Sequence, residues 1–374
     1  LSHFANMLSG ISKLSTYFAS CGKDVCTDVS ALTGGFTESL APGAGTFNVE
    51  VANGQTIEVF YYLPPDAHID KASVEVMFVM HGIKRNASDY FNEAMASGDV
   101  QRLGVFLLVP SFSSKVFPKR AGYNFGNLFT EDASDWLEEG NKGAPPLKPL
   151  EASAFMAVET VFSKAMELSG CGASGYTLFG HSAGAQFAHR FGLFYGAWAA
   201  TQDPVHVPFR AKQIVCANAG WWTMPTWADG PFSKEKVHCF PYGLEGLELP
   251  MSRSDGTGFA DGSTMALAEL AKNFVQLPIV VMLGEDDVDP YKPSKKFWHQ
   301  APGADEWGMN RLERGSNFFA AGKQIASYLG VELGWKKEVI PNVGHHGGLM
   351  TAVAIRHLFG DGQLSVEVFS DVSF

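Results

Sequence analysis

Short, largely apolar runs alternate with amphipathic stretches along most of this chain. The runs are Val74 to Met80, Val105 to Val109, Tyr176 to Phe179, Gln213 to Ala217, Pro278 to Leu283 and Lys337 to Val343. Between them lie segments with helical spacing. These cover Ser88 to about Leu103, 150–169, 183–195, 263–274, about 310–329 and 348–359. In 150–169 the residues Phe155, Val158, Val161, Phe162 and Met166 share one face, and Ala183, Phe187, Phe191 and Phe194 do so in the next segment. Runs with several consecutive apolar residues are buried on both of their faces, which a sheet with one wet side does not require. The pattern predicts an α/β fold, a mostly parallel twisted sheet with helices on both faces.

The rest of the chain reads as additions to that frame. Residues 1–46 are expected to be an N-terminal extension, an amphipathic helix over 1–18 followed by a loop rich in Gly, Ser and Thr. Phe47 to Ala52 and Gln55 to Leu63 flank Asn53-Gly54, which predicts a hairpin with a type I′ turn. Residues 111–149 read as a surface excursion, and 221–262 as an irregular, aromatic-rich, cap-like insertion. With no repeat and no linker, 47–374 reads as a single domain.

The net charge of −11 argues against a nucleic-acid partner, which needs basic patches. No apolar run reaches the ~18 residues of a membrane span. The cysteines are 21, 26, 171, 216 and 239; in an exported protein the expected pairs are Cys21–Cys26 and Cys216–Cys239, and otherwise all are thiols. The chain begins at Leu1, consistent with a removed signal peptide, and we expect a secreted or otherwise extracytoplasmic protein. The sequon Asn86-Ala87-Ser88 lies beside the expected site, and no glycan is expected there.

Gly180-His181-Ser182-Ala183-Gly184 stands between an apolar run and an amphipathic helix. A GxSxG pentapeptide in that place makes a sharp strand-to-helix turn that exposes the serine hydroxyl. The helix N-terminus aims unpaired N–H groups at the same point. Ser182 is the expected nucleophile. A serine needs a base, and on sheets of this kind an acid and then a histidine follow the nucleophile at later strand ends. After Pro278–Leu283 comes Gly284-Glu285-Asp286-Asp287-Val288-Asp289-Pro290, and after Lys337–Val343 comes Gly344-His345-His346-Gly347. Asp287 is the preferred acid, before Asp289 and then Asp286. His345 is the preferred base, with His346 the alternative. The developing oxyanion needs N–H donors, expected from Ala183 and from Ile83 in the loop His81-Gly82-Ile83. Trp221 and Trp222 are expected to line an acyl or alcohol pocket. No nucleotide loop or zinc spacing is present, so neither cofactor nor metal is expected.

The segments HGIKRNASDYF (81–91), GHSAGAQFAHRF (180–191), ANAGWWTMP (217–225), FPYGL (240–244), LGEDDVDP (283–290), NRLERGSNFF (310–319) and VGHHG (343–347) resemble the α/β-hydrolase superfamily. The likeness runs from about residue 47 to 360 and is nearest to esterases related to polyhydroxybutyrate depolymerases and feruloyl esterases. It implies a Ser-His-Asp triad of Ser182, His345 and Asp287, an oxyanion donor at Ile83, no cofactor, and a small-molecule or polymeric ester as substrate. It does not indicate an oligomeric state. The rival readings are a serine peptidase or other triad enzyme on the same fold, and an inactive binding module.

Overall fold

The apolar runs form the centre of an eight-stranded sheet. In a computed structural model the described residues are 39–51, 54–65, 74–130, 144–202, 207–232, 237–252, 259–289, 302–360 and 362. The strands are β1 (Gly43–Val51), β2 (Gln55–Leu63), β3 (Val76–Met80), β4 (Phe106–Pro110), β5 (Tyr176–His181), β6 (Ala211–Ala217), β7 (Pro250–Ser252), β8 (Phe259–Thr264), β9 (Ile279–Gly284) and β10 (Lys336–Ile340). The main sheet runs β1-β2-β4-β3-β5-β6-β9-β10, and β7 and β8 form a separate antiparallel pair. From β4 to β10 every pairing is parallel, while β1–β2 and β2–β4 are antiparallel.

Burial follows the alternation along each strand. Val76, Phe78 and Met80 of β3 join one apolar cluster, and Met77 and Val79 join another. Phe106 and Leu108 of β4 divide from Leu107 and Val109 in the same way. Two cores therefore lie on opposite faces of the sheet. Helices α1 (Ala87–Ala96) and α6 (Gly347–Phe359) cover one face. Helices α2 (Ala154–Ser169), α3 (Ala183–Arg190), α4 (Leu267–Gln276) and α5 (Arg311–Leu329) cover the other. Caps set the helix starts. Ser153 accepts the Met156 N–H at α2. Asn310 accepts the Glu313 N–H at α5, while Glu313 accepts the Met309 N–H in return.

Several boundaries differ from expectation. Strand β1 begins at Gly43, so the last residues of the supposed extension belong to the sheet. The pairing Val51↔Gln55 leaves three residues in the hairpin loop instead of two, and Gly54 takes φ +67°. This matches the three-residue loop class with a left-handed residue. The helix expected over 88–103 is two, α1 and Asp99–Leu103, because Gly98 between them has φ +71°. Residues 263–264 finish β8, and α4 starts only at Leu267. Helix α3 continues beyond residue 195 as a fully buried π-helix, Phe191–Ala199. The expected helix over 1–18, Asn53, Cys21 and Cys26 lie outside the described residues.

Candidate active site

The elbow turns between β5 and α3. Ser182 has φ +58° and ψ −113°, a strained backbone that a non-glycine residue rarely adopts. Its N–H donates to the Ala217 carbonyl at 2.9 Å, tying the turn to β6. Neither flanking glycine tolerates a side chain. A Cβ on Gly180 would run into the Gly184 carbonyl, and one on Gly184 into the Met80 carbonyl. The glycines of the pentapeptide are thus demanded by backbone-to-backbone contact, first within the turn and then with β3.

His345 stands over the serine. Its Nε2 lies 3.1 Å from Ser182 Oγ and its Nδ1 2.7 Å from Asp287 Oδ2. An ionised carboxylate only accepts, so Nδ1 carries the proton and Nε2 offers its lone pair to the serine hydroxyl. Asp287 is 2% exposed, and its Oδ1 accepts from Arg311 at 3.0 Å. Arg311 opens α5, and its guanidinium compensates a carboxylate otherwise out of water. The neighbours take other work. His346 is the N-cap of α6, where its Nδ1 accepts the Leu349 N–H. Asp286 donates its backbone N–H to the Val343 carbonyl, joining the acid loop to the end of β10.

The loop after β3 is built to hold its backbone still. His81 is fully buried, accepts the Phe112 N–H on Nε2 at 3.1 Å and so directs Nδ1–H to the Gly82 carbonyl. Burial lowers its pKa to about 3, so the ring stays neutral. Tyr123 stacks on it and donates to the His81 carbonyl at 2.7 Å. Arg85 lies over Tyr123 and donates to the Phe112 and Lys119 carbonyls. Across this loop Tyr90 O–H meets His181 Nδ1 at 2.9 Å, and the His181 ring lies 4.6 Å from that of His345. His181 is held well below the ordinary imidazole range by burial, and further by the charges of His345, Arg311 and His346. Ala183 is the first residue of α3, where a backbone N–H has no intrahelical acceptor. Ile83 follows Gly82 in the turn and packs on the core.

The two tryptophans sit deeper than expected. Trp221 and Trp222 are each 3% exposed. Trp222 stacks on Phe318 at 4.3 Å and packs against His189. Trp221 covers the guanidinium of Arg190, which Phe125 covers from elsewhere at 4.3 Å. Burial pushes that guanidinium down to about 9. Both indoles are thus packed among neighbouring side chains, and their expected part in an acyl or alcohol pocket stays a proposal. The pairing Cys216–Cys239 is corrected, since both are free thiols. Cys216 faces the core from β6, while Cys239 lies in the partly exposed insertion.

The sequence leads one to expect Lys84, Arg85 and Asn86 to hold the loop after β3, as Arg85 does, but it does not single out Arg311, Tyr90, His181 or Tyr123. Only the likeness around NRLERG touches Arg311, because its partner Asp287 lies on a different loop 24 residues away. His181 was visible as the variable position of the pentapeptide, with no sign of what it meets.

Solved structures share this architecture. A poly(aspartic acid) hydrolase from Sphingomonas sp. KT-1 is 28% identical, with a TM-score of 0.65 over 86% of this chain and 99% of its own. A poly(3-hydroxybutyrate) depolymerase from Bordetella parapertussis is 25% identical, with a TM-score of 0.61 over 85% of this chain and 91% of its own. No family model and no curated protein matches the chain. By its sheet order, its elbow and these likenesses, the chain has the α/β-hydrolase fold and is similar to hydrolases and esterases built on it.

Proposed function

We propose that this protein cleaves carboxylic esters through an acyl-enzyme on Ser182. The observation that carries the reading is His345, hydrogen-bonded to Asp287 through one ring nitrogen and to Ser182 through the other. In the forward step Ser182 Oγ attacks the ester carbonyl while His345 Nε2 takes its proton. Asp287 keeps Nδ1–H oriented and stabilises the imidazolium that forms. The carbonyl oxygen gathers negative charge, which the N–H groups of Ala183 and Ile83 receive. When the C–O bond breaks, His345 returns the proton to the leaving alcohol. Water then repeats the sequence on the acyl-serine and releases the acid.

A polymer is the substrate class we favour, because both solved relatives are named for one. Of the two chemistries a polyester suits this chain better than a polyanion, since the protein itself carries a net charge of −11. A polymer does not cross membranes, which supports an extracytoplasmic place of work. No helix among the described residues is long and apolar enough to span a membrane.

The test uses a fluorophosphonate probe and three substrates. Wild type is expected to be labelled once, and Ser182→Ala to lose both labelling and turnover, with a fall in kcat of about 10⁶-fold. Rates on p-nitrophenyl esters, a polyester film and poly(aspartic acid) then rank the substrates. Labelling that survives in Ser182→Ala defeats the mechanism, and faster release from poly(aspartic acid) than from the polyester defeats the substrate class.

A further inference from the structure

Asn218 is the first residue after β6, and its side chain touches the loops of both other triad members. It is fully buried and has φ +51°, a left-handed conformation that asparagine tolerates better than most residues. Its Oδ1 accepts the Gly284 N–H at 2.8 Å, at the end of β9 where the acid loop begins. Its Nδ2 donates to the Gly344 carbonyl at 3.2 Å, immediately before His345. Its own N–H donates to Met282, and the carbonyl of its neighbour Ala217 receives the Ser182 N–H. One side-chain amide thus joins the loops that carry Asp287 and His345, while the backbone just before it holds Ser182.

We infer that Asn218 is the positioning residue of this site, a buried amide that sets the His345 loop against the Asp287 loop. The inference rests on the triad reading above. The chemistry needs an amide. One end must accept and the other donate, and both must face opposite backbones from one position. Aspartate can accept from Gly284 but would set a carboxylate against the Gly344 carbonyl, and an apolar residue would leave both backbone groups without partners. A shift of about 1 Å in the His345 loop is enough to lower a rate by about 10²-fold.

The experiment compares Asn218→Gly and Asn218→Asp with wild type on p-nitrophenyl butyrate, recording kcat, KM, the pH profile and thermal stability. Glycine keeps the backbone conformation and removes only the amide. Asn218→Gly is expected to lower kcat by 10- to 100-fold with KM changed less than threefold. In Asn218→Asp the new carboxylate adds to Asp287 and His181, which meet His345, and to Arg311 and His346, which act on those two groups. It favours the imidazolium, so the acidic limb of kcat/KM is expected to move up by about half to one pH unit. Tyr176→Phe, at the opposite end of β5, is the stability control and is expected to lose thermal stability while keeping kcat. A kcat within twofold of wild type in Asn218→Gly overturns the inference, as does an equal loss of kcat in Tyr176→Phe. Should Asn218→Gly not fold, an unmoved limb and unchanged kcat in Asn218→Asp overturn it. Turnover that persists in Ser182→Ala is a separate result, and it defeats the triad reading beneath the inference.

Discussion

Two carboxylates in this protein are equally hidden and equally paired with arginine, yet they sit at opposite ends of the sheet. Asp287 and Glu159 are each 2% exposed, and each meets a guanidinium at 3.0 Å, Arg311 for the first and Arg210 for the second. Their remaining contacts differ. Asp287 accepts from an imidazole that reaches on to a serine hydroxyl. Glu159 accepts from the Tyr176 hydroxyl at 2.8 Å and from the Arg210 N–H, and the Arg210 guanidinium, which cannot take up a proton, goes on to the Ser163 hydroxyl at 3.3 Å. Tyr176 opens β5 and His181 closes it, so the same strand has a locked base and a reactive tip. Burial and ion pairing therefore do not distinguish the proposed catalytic acid from the structural one. What distinguishes them is whether a proton-accepting imidazole links the carboxylate to a hydroxyl, as His345 links Asp287 to Ser182, or a guanidinium that cannot accept a proton does, as Arg210 links Glu159 to Ser163.

The sharpest way to break this comparison is to neutralise each carboxylate without changing its shape. Asp287→Asn is expected to lower kcat by about 10⁴-fold, because the imidazole is then held in the wrong tautomer. Glu159→Gln is expected to leave kcat within twofold and to lower stability by about 1–3 kcal/mol, measured by denaturant unfolding. Equal losses of activity would mean the two ends are not functionally distinct.

A second contrast separates adjacent histidines. His345→Ala is expected to lower kcat by about 10³-fold or more. His346→Ala removes a helix cap and is expected to cost about 1 kcal/mol of stability with less than a tenfold change in rate. A reversed ranking in single-turnover assays would move the base to His346.

The aromatic segment supplies a third. Trp222→Ala is expected to destabilise by about 3–5 kcal/mol, since it empties a stack against Phe318, while the preference among p-nitrophenyl esters of different length stays as it was. A changed chain-length profile at unchanged stability would return Trp222 to the pocket.

The smallest effect per unit concerns pH and the buried imidazoles. His81, His181 and His189 are all held below the ordinary histidine range by burial. The unfolded chain takes up protons near pH 6.5 while folded His81 waits until about 3, so stability is lost as pH falls through that window. Each such group contributes up to about 1.4 kcal/mol per pH unit. Melting temperatures are expected to fall steadily from pH 6.5 to 4.5, and a flat profile would show that these rings are charged in the fold.

The reach of sequence reasoning follows from where each cause lies. Runs such as Val76–Met80 are apolar at every position, so burial on both faces could be read without knowing any neighbour. Gly180 and Gly184 could be placed because a strand, a tight turn and a helix follow one another within a few residues. The order of Ser182, the acidic loop and the histidine pair is likewise linear along the chain. Which acid and which histidine come together is not linear. Asp287 and His345 are 58 residues apart, and one residue's difference in loop length would present Asp286 or His346 instead. Arg311, Asn218 and Tyr90 depend on the same fact, since their partners are supplied by strands that become neighbours only in the folded sheet. Trp221 and Trp222 show the reverse. Their composition suits a pocket wall and a packed stack equally, and only the fold shows that Trp221 lies over Arg190 and Trp222 against Phe318. The alternation of apolar runs determined the frame and the order of its reactive groups because those are local, periodic properties of the chain. The identity of the paired residues was decided by tertiary structure, because a hydrogen bond of about 3 Å depends on loop geometry that no local pattern encodes.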